Sequence, residues 1–245
     1  MQVVILCGGK GTRLKTNEDI PKPLALVNEK PLIWHIMKIY SKFGFNEFIL
    51  PLGYKGDKIK EYFMHYDWMN HDFMKIGSEN RIELLEEHEK WNITFVNTGL
   101  ETMTGGRIKK IEKYIKEDTF MLTYGDGLAD IDIDDLINFH MYKGNIATVT
   151  GVERKTQYGV LSVKDGIAES FNEKTSLDGL INGGFFVLDK KVFDYLSEDD
   201  ECIWENEPLS RLANDGELAV YEHKGIWMAI DTYKDLIEAN QKWNM

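Results

Sequence analysis

Residues Val3 to Pro23 decide the fold and read V-V-I-L-C-G-G-K-G-T-R-L-K-T-N-E-D-I-P-K-P. The first four, Val3 to Leu6, form a continuous apolar run rich in β-branched residues. Such a run, ended abruptly by glycines, is typical of a strand buried on both faces. The glycines of the loop that follows are Gly8, Gly9 and Gly11. Because glycine permits positive φ and leaves backbone N–H groups bare, this loop is predicted to hold a ligand at the strand end.

Two cations, Arg13 and Lys22, lie on the same loop and favour a polyphosphate as the ligand. Two familiar glycine motifs do not fit this stretch. The P-loop needs a lysine followed by Ser or Thr, whereas Lys10 is followed by Gly11. The dinucleotide fingerprint would have Leu14 at its third glycine position, and no helix opens there. The pattern that remains is G-G-x-G-T-R-L followed by P-K-P.

Composition narrows the class of protein. The 245 residues are 43% apolar and 29% charged, as in an ordinary soluble domain. The net charge of −12 disfavours nucleic acid as a partner, because no basic face is available to neutralise phosphates.

We find no signal peptide and no run of about 18 apolar residues, so we predict a cytoplasmic protein with no membrane partner. The two cysteines, Cys7 and Cys202, lack metal-ligand spacing, and Cys7 is predicted to pack as a buried apolar residue.

The chain alternates between apolar strand patterns and amphipathic helix patterns, which is typical of a parallel, doubly wound sheet. Residues 81–89 and 91–96 break this alternation and are predicted to pair as an antiparallel ribbon. Hairpin signals begin after residue 150. We therefore predict one domain, 1–245, with a soft boundary between halves 1–150 and 151–245.

Two further segments point to a ligand. Met103 to Ile115 is predicted to be a helix capped by Thr104, with Gly105 and Arg107 bringing backbone and charge near an anion. Asp126 stands between glycines at the carboxyl end of an apolar strand, where open α/β sheets bind ligands. A carboxylate there suits Mg²⁺, which takes one or two protein carboxylates and fills its shell with water and phosphates. An Asx turn is the alternative interpretation of Asp126.

The glycine loop with its P-K-P resembles the signature of the sugar-1-phosphate nucleotidyltransferases. Over essentially the whole chain, further blocks resemble that family in order and spacing, among them M-T-G-G-R, T-Y-G-D-G, I-N-G-G-F-F-V-L and I-D-T. The M-T-G-G-R block is similar to the glucose-1-phosphate cytidylyltransferase branch. The resemblance implies an α/β fold with a Rossmann-like, mixed but mostly parallel sheet flanked by helices. This is the nucleotide-diphospho-sugar transferase fold, and small β-ribbon insertions are expected in it.

The resemblance also implies transfer of CMP from CTP to a small phosphorylated acceptor, with pyrophosphate released and Mg²⁺ as cofactor. Residues 1–150 would bind the nucleotide and residues 151–245 the acceptor. The implied nucleotide-binding residues are Leu6, Gly8, Gly9, Gly11, Thr12, Arg13, Thr104, Gly105, Arg107 and Asp126. The implied acceptor-binding residues are Lys22, Tyr124, Tyr158, Glu173, Lys174, Asn182 and Gly183. The implied catalytic cations are Arg13, Lys22 and Lys174, and the implied metal ligands are Asp126 and Asp231. Taken alone, Asp231 would be interpreted as a helix N-cap.

Departures from the family pattern fall mainly on the acceptor side. Ile20 replaces the first lysine of the usual K-P-K-P, and Thr175 replaces the proline of E-K-P. The resemblance implies glucose 1-phosphate as acceptor and CDP-glucose as product, for bacterial surface polysaccharide or capsule biosynthesis. Phosphorylated L-glutamine, giving CDP-L-glutamine, is an alternative acceptor. A non-catalytic nucleotide-sensing subunit is a second alternative, and a homo-oligomer is expected in each case.

Overall fold

The fold is taken from a computed structural model that describes residues 1–11, 14, 20–155, 160–164, 167–172 and 176–243. Within 154–178 it describes backbone alone. Five of the predicted site residues lie outside the described residues, namely Thr12, Arg13, Tyr158, Glu173 and Lys174. Their roles stay predictions.

Fifteen strands and six α-helices are formed by the described residues. The strands are β1 (Val3–Leu6), β2 (Leu26–Val27), β3 (Lys30–Pro31), β4 (Glu47–Leu52), β5 (Phe73–Ile76), β6 (Arg81–Leu84), β7 (Asn92–Asn97), β8 (Thr119–Tyr124), β9 (Gly127–Ala129), β10 (Ala147–Lys155), β11 (Val160–Lys164), β12 (Ile167–Asn172), β13 (Ser176–Asp189), β14 (Leu218–His223) and β15 (Trp227–Ala229). The helices are α1 (Leu32–Ser41), α2 (Gly56–Asn70), α3 (Thr104–Lys110), α4 (Ile133–Lys143), α5 (Glu207–Asn214) and α6 (Tyr233–Lys242).

A seven-stranded sheet runs through the protein in the order β14-β10-β13-β8-β1-β4-β7. Neighbouring strands are parallel except at β13, which is antiparallel to both β10 and β8. Strands from both predicted halves of the chain therefore share one sheet. The mixed, mostly parallel sheet that the sequence predicts is the sheet observed.

Both faces of this sheet are buried, which explains the unbroken apolar run of β1. Val3 and Ile5 pack into a cluster with residues of α1, α2, α4 and α6, whereas Val4 packs on the opposite face with residues of α3 and α5. All three side chains have no exposed surface. A strand covered by helices on both sides needs apolar residues at every position rather than at alternate ones. As predicted, Cys7 is also buried, and burial raises the pKa of its thiol.

The predicted ribbon of residues 81–89 and 91–96 is wrong. β6 pairs instead with β5, in the register Phe73 with Leu84, and β7 is the parallel edge strand beside β4. Trp91, which was expected near a turn, packs its ring edge-on against Phe48 and donates its indole N–H to Ser41 Oγ at 2.7 Å. These contacts hold β7 in the main sheet. Their partners, Ser41 and Phe48, lie more than 40 residues away in sequence, so a prediction from local turn signals does not include them.

The helix predicted from residue 103 begins as expected but is not capped as expected. Thr104 is the first residue of α3, and Met103 occupies the N-cap position without a side-chain hydrogen bond. No helix within the described residues combines the length and apolarity that crossing a bilayer requires.

Candidate active site

The site lies where the carboxyl ends of β1 and β8 meet. The two strands are parallel neighbours, with Leu6 opposite Tyr124, so the glycine loop and Asp126 emerge side by side. The backbone N–H of Gly125 donates to the Leu6 carbonyl at 3.0 Å. A Cβ at Gly125 would stand 2.7 Å from that carbonyl and 3.4 Å from Pro23 Cγ, so only glycine allows this close approach. The strand end thus holds the P-K-P turn next to Asp126.

A small antiparallel pair, β9 with β15, brings Asp231 to the same place. Gly127 lies opposite Ala229, and the N–H of Ile230 donates to the Asp126 carbonyl at 2.9 Å. Asp126 and Asp231 therefore flank one end of this pair although they are far apart in sequence. The structure also decides the interpretation of Asp231: Thr232, not Asp231, is the N-cap of α6, in a capping box with Asp235. The Asp231 carboxylate is consequently not used for capping.

Lys22 joins the two carboxylates. Its Nζ lies 2.6 Å from Asp126 Oδ2 and 2.8 Å from Asp231 Oδ1, at the start of a short 3-10 turn, Lys22–Leu24. Only 12% of the Lys22 side chain is exposed, against 36% and 45% for the two aspartates. Burial by itself lowers the pKa of Lys22, but the Asp126 and Asp231 carboxylates outweigh it and the net pKa is raised. The ammonium is therefore fully charged at neutral pH.

Gly11 explains how Lys22 reaches this position. It has φ +57°, in the left-handed region, and a Cβ there would lie 3.0 Å from Lys22 Cβ. A larger residue would be strained and would press on the lysine stem. Gly9, by contrast, has no atom of the described residues within 4 Å of its Cβ direction, so the described part of the chain leaves this side of its backbone uncovered.

Arg107 is held beneath the glycine loop, and its predicted contact with the nucleotide stays a prediction. Its side chain is buried, with 4% of the residue exposed, and its Nη2 donates to the Gly8 carbonyl at 3.0 Å. The side chain turns inward beneath the loop because acceptors at the ends of β1, β4 and β7 converge there. The sequence shows a cation after a helix start, but not the direction in which it points.

Gly105 is likewise explained by packing. A Cβ at Gly105 would lie 2.5 Å from Cys202 Sγ and 2.9 Å from the Cys202 carbonyl, so the glycine lets α3 pack against residues 199–202. Thr104 donates its hydroxyl to Glu205 Oε2 at 2.7 Å and accepts the N–H of Trp204 at 3.0 Å. The first turn of α3 is thereby fixed to the segment before α5.

A second polar group adjoins the end of β8. The Tyr124 hydroxyl accepts from Asn182 Nδ2 at 3.2 Å, and Asn182 Oδ1 accepts the N–H of Gly184 at 2.8 Å. Burial, together with the negative charge and hydrogen bond of Glu205, raises the pKa of Tyr124. The Gly183 carbonyl accepts the indole N–H of Trp227 at 2.7 Å. Tyr124, Asn182 and Gly183, which the sequence assigns to the acceptor side, are therefore brought together.

Glu205 is a candidate site residue that the sequence analysis missed. It connects Thr104, assigned to the nucleotide side, with Tyr124, assigned to the acceptor side. The available signal was the pair of acidic residues in the W-E-N-E-P run, at and just before the start of α5, which has a proline in its first turn. That signal is weak, because acidic residues at helix starts are common for reasons of helix stability alone.

In sum, the glycine loop lies beside a cluster of one lysine and two aspartates. The described residues contain no group of three or more His, Cys, Asp or Glu side chains suited to hold a metal ion. The two aspartates offer hard oxygen donors in a pair. Such a pair binds a divalent ion well only when other oxygens complete the shell, as nucleotide phosphates do.

This fold and site define a nucleotidyltransferase. The chain matches the nucleotidyl transferase family over residues 2–244 and belongs to that family. It is 57% identical over its full length to the "Probable glucose-1-phosphate cytidylyltransferase" of Bacillus subtilis, covering 96% of that protein. It is 45% identical to the glucose-1-phosphate cytidylyltransferase of Salmonella typhimurium, with 99% of this chain and 96% of that protein covered. The predictions of family, fold class and enzyme class are thereby confirmed.

A solved structure agrees with the fold. HddC from Yersinia pseudotuberculosis superimposes with a TM-score of 0.73 at 27% sequence identity, with 99% of each chain covered. A second crystal structure of HddC, complexed with GMP-PN, gives a TM-score of 0.71.

Proposed function

We propose that this enzyme transfers CMP from CTP to the phosphate of glucose 1-phosphate, forming CDP-glucose and pyrophosphate. An oxygen of the acceptor phosphate attacks the α-phosphorus of CTP, the bond from that phosphorus to the bridging oxygen breaks, and pyrophosphate leaves with the electron pair. The observation that carries the proposal is the cluster of Lys22, Asp126 and Asp231 beside the glycine loop. The names of the relatives at 57% and 45% identity support CTP and glucose 1-phosphate.

The residues fit this chemistry because the reaction brings anionic groups together. Lys22 would contact the acceptor phosphate and the α-phosphate, lowering their mutual repulsion. Asp126 and Asp231 fit a Mg²⁺ ion, since they supply two carboxylates and the triphosphate would supply further oxygens. Mg²⁺ bound there would withdraw charge from the α-phosphate and make it a better electrophile. Catalysis of this type depends mainly on alignment and on charge stabilisation, not on a covalent enzyme intermediate.

Lys22 would change partners during this cycle. Between the two aspartates it satisfies a pair of carboxylates that would otherwise repel each other at short distance. With both carboxylates bound to a divalent ion, the Lys22 ammonium would be free to contact the phosphates instead. The exposure of both aspartates, at 36% and 45%, leaves room for such an exchange.

The acceptor would lie against Tyr124, Asn182, Gly183 and Glu205, where hydroxyl, amide and carboxylate groups can bond sugar hydroxyls. Glu173 and Lys174 keep their predicted roles at the acceptor phosphate, and Arg13 keeps its predicted role at the triphosphate. Each of these three lies outside the described residues. We further propose that the enzyme acts in the cytoplasm, where CTP is made, and supplies surface polysaccharide or capsule synthesis.

The test is pyrophosphate release with a panel of substrates. CTP is supplied with either glucose 1-phosphate or L-glutamine phosphate, and glucose 1-phosphate is supplied with CTP, UTP or GTP in turn. We expect rapid release with CTP and glucose 1-phosphate and little with the other combinations. Release only with L-glutamine phosphate would contradict the sugar acceptor, and equal rates with UTP or GTP would contradict CTP selectivity.

We also propose a homo-oligomer. Exposed apolar side chains gather on α2 and the β5–β6 ribbon, namely Met64, Trp68, Met69, Phe73, Met74 and Leu85. An isolated two-stranded ribbon is marginally stable in water, so covering it with a second copy would stabilise it. Light scattering after size exclusion should give a multiple of 28.4 kDa, and a monomer mass would contradict this assembly.

A further inference from the structure

Lys10 and Glu101 form an ion pair that joins two loops at the edge of the sheet where the site lies. The Lys10 Nζ is 2.8 Å from Glu101 Oε1 and 2.7 Å from Oε2, so the ammonium bonds both carboxylate oxygens. Lys10 belongs to the glycine loop after β1, whereas Glu101 follows β7 and precedes α3. Because β4 lies between β1 and β7 and is parallel to both, the pair joins the loops on either side of the carboxyl end of β4.

The sequence pattern of the loop gives Lys10 no role, because Lys10 fills the unspecified position of G-G-x-G-T-R-L. Its neighbours on both sides are glycines, Gly9 and Gly11, and Gly11 has φ +57°. Glycine neighbours restrict the direction of a side chain less than larger residues do. Lysine also carries its ammonium on a flexible four-carbon stem with three rotatable donors. The ammonium can therefore turn to another anion without rearranging packed side chains.

The ion pair is held weakly enough to be exchanged. The Lys10 side chain is 48% exposed and the Glu101 side chain is 71% exposed. Exposed pairs contribute little to stability, because water and salt screen the charges and two long side chains lose conformational freedom. A triphosphate carries several negative charges and many strong acceptor oxygens, whereas the Glu101 carboxylate carries a single charge. A triphosphate bound at this loop would therefore take Lys10 from Glu101 at little cost.

Lys10 also adjoins the cluster of one lysine and two aspartates. The residue after it, Gly11, packs on the stem of Lys22, since a Cβ at Gly11 would lie 3.0 Å from Lys22 Cβ. Lys22 in turn bonds Asp126 and Asp231. The two lysines are therefore carried on backbone segments that touch. A nucleotide whose α-phosphate is bound by Lys22 can extend its other two phosphates toward Lys10.

We propose that Lys10 is a further triphosphate-binding residue and that Glu101 competes with the ligand for it. When the nucleotide binds, the Lys10 ammonium exchanges the Glu101 carboxylate for an oxygen of the β- or γ-phosphate. The proposal rests on the proposed function in so far as it names the ligand as a nucleoside triphosphate. It predicts opposite effects for the two partners, since loss of Lys10 weakens triphosphate binding and loss of the Glu101 charge strengthens it. An ion pair that served stability alone would leave triphosphate affinity unchanged in both variants.

The test compares binding of CTP, tripolyphosphate and cytidine to the whole chain by calorimetry. For Lys10→Met we expect CTP and tripolyphosphate to bind roughly 5- to 30-fold more weakly, as for a lost charged hydrogen bond at an exposed position. For Glu101→Gln we expect both to bind roughly two- to fivefold more tightly, the factor by which an exposed ion pair holds its partners. Cytidine should bind equally to all three proteins. Both effects should shrink when the salt concentration is raised from about 0.05 M to about 0.5 M.

Lys242→Met is the matched control, since it removes the same charge from another exposed pair, in which Lys242 Nζ lies 2.6 Å from Glu238 Oε1 on α6. It should leave tripolyphosphate affinity unchanged. Lys10 and Glu101 are exposed, so both variants should fold, which circular dichroism checks on the same samples.

Unchanged tripolyphosphate affinity in Lys10→Met would overturn the proposal, and so would unchanged or weaker binding in Glu101→Gln. The outcome is separate from that of the proposed function. The expected affinity changes without pyrophosphate release from CTP would contradict the proposed function and leave the phosphate contact standing. Normal pyrophosphate release with unchanged affinities would do the reverse.

Discussion

Replacing Lys22 by Met should lower the activity of the enzyme far more than its stability. The change removes an ammonium that lies 2.6 Å and 2.8 Å from two carboxylates. Both aspartates are more than a third exposed, so solvent screening limits each ion pair to about 1 kcal/mol of stability. The free energy of unfolding should fall by about 1 to 2 kcal/mol, which for a chain of this size lowers Tm by roughly 2 to 8 °C.

The effect on turnover should be far larger. A cation that acts where charge concentrates in the transition state typically contributes about 10²- to 10³-fold to kcat. We therefore expect kcat/KM for CDP-glucose formation to fall by at least about 100-fold at a temperature where Lys22→Met is fully folded. The assay is continuous pyrophosphate release, with folding followed by circular dichroism on the same samples.

Lys38→Met is the matched control for this experiment. Lys38 pairs with Glu89 at 3.3 Å, away from the site, and its side chain is 32% exposed. Its loss should lower Tm by a similar few degrees and leave kcat/KM within about twofold. If Lys22→Met kept a tenth or more of the activity, or if Lys38→Met lost as much as Lys22→Met, the assignment of Lys22 to the reaction would be refuted.

Three further outcomes are expected. EDTA should abolish turnover, and added Mg²⁺ should restore it. Asp231→Asn should raise the Mg²⁺ concentration needed for half-maximal rate by at least about tenfold. Full rate in EDTA would contradict the metal assignment. Gly105→Ala should destabilise the protein by about 1 to 3 kcal/mol in urea unfolding, and Cys202→Ala in the same chain should recover part of that; no recovery would contradict the contact with the Cys202 side chain. Burial lowers the pKa of His35, so its contribution to stability is complete above the unfolded value of 6.5 and is lost as pH falls toward the folded pKa. Urea unfolding at about pH 7, 6 and 5 should show that loss of stability. His35→Gln should make the free energy of unfolding less dependent on pH over the same range.

Much of the sheet could be predicted because its strands carry strong local signals. β1 and β4 are apolar runs bounded by glycine, proline or charged residues, and both formed where the pattern placed them. β7 could not be placed in the same way. Its burial alternates as in a half-covered strand, and its partner β4 is separated from it by α2 and the β5–β6 ribbon. Local patterns indicate that a strand forms, but pairing depends on packing such as that of Trp91 on Phe48.

In the candidate site, too, some features could be predicted from the sequence and others could not. Lys22, Asp126 and Asp231 were predicted from motifs, and the structure brings them within ion-pair distance. The direction of Arg107 was not predictable, because it depends on the carbonyls of three strand ends that only the folded sheet collects. Thr104 was expected to cap α3, yet its hydroxyl bonds Glu205, a residue about a hundred positions away. Motifs therefore identified which residues gather, whereas tertiary contacts decided what each one does.

The most direct test that an oxygen of the acceptor phosphate is the nucleophile uses glucose 1-phosphate labelled with ¹⁸O in its phosphate group. The enzyme is incubated with CTP, Mg²⁺ and the labelled acceptor, and the products are separated and weighed by mass spectrometry. If an acceptor oxygen attacks the α-phosphorus of CTP, all of the label should be found in CDP-glucose and none in pyrophosphate. Label in pyrophosphate or in free phosphate, or pyrophosphate formed without CDP-glucose, would contradict that account.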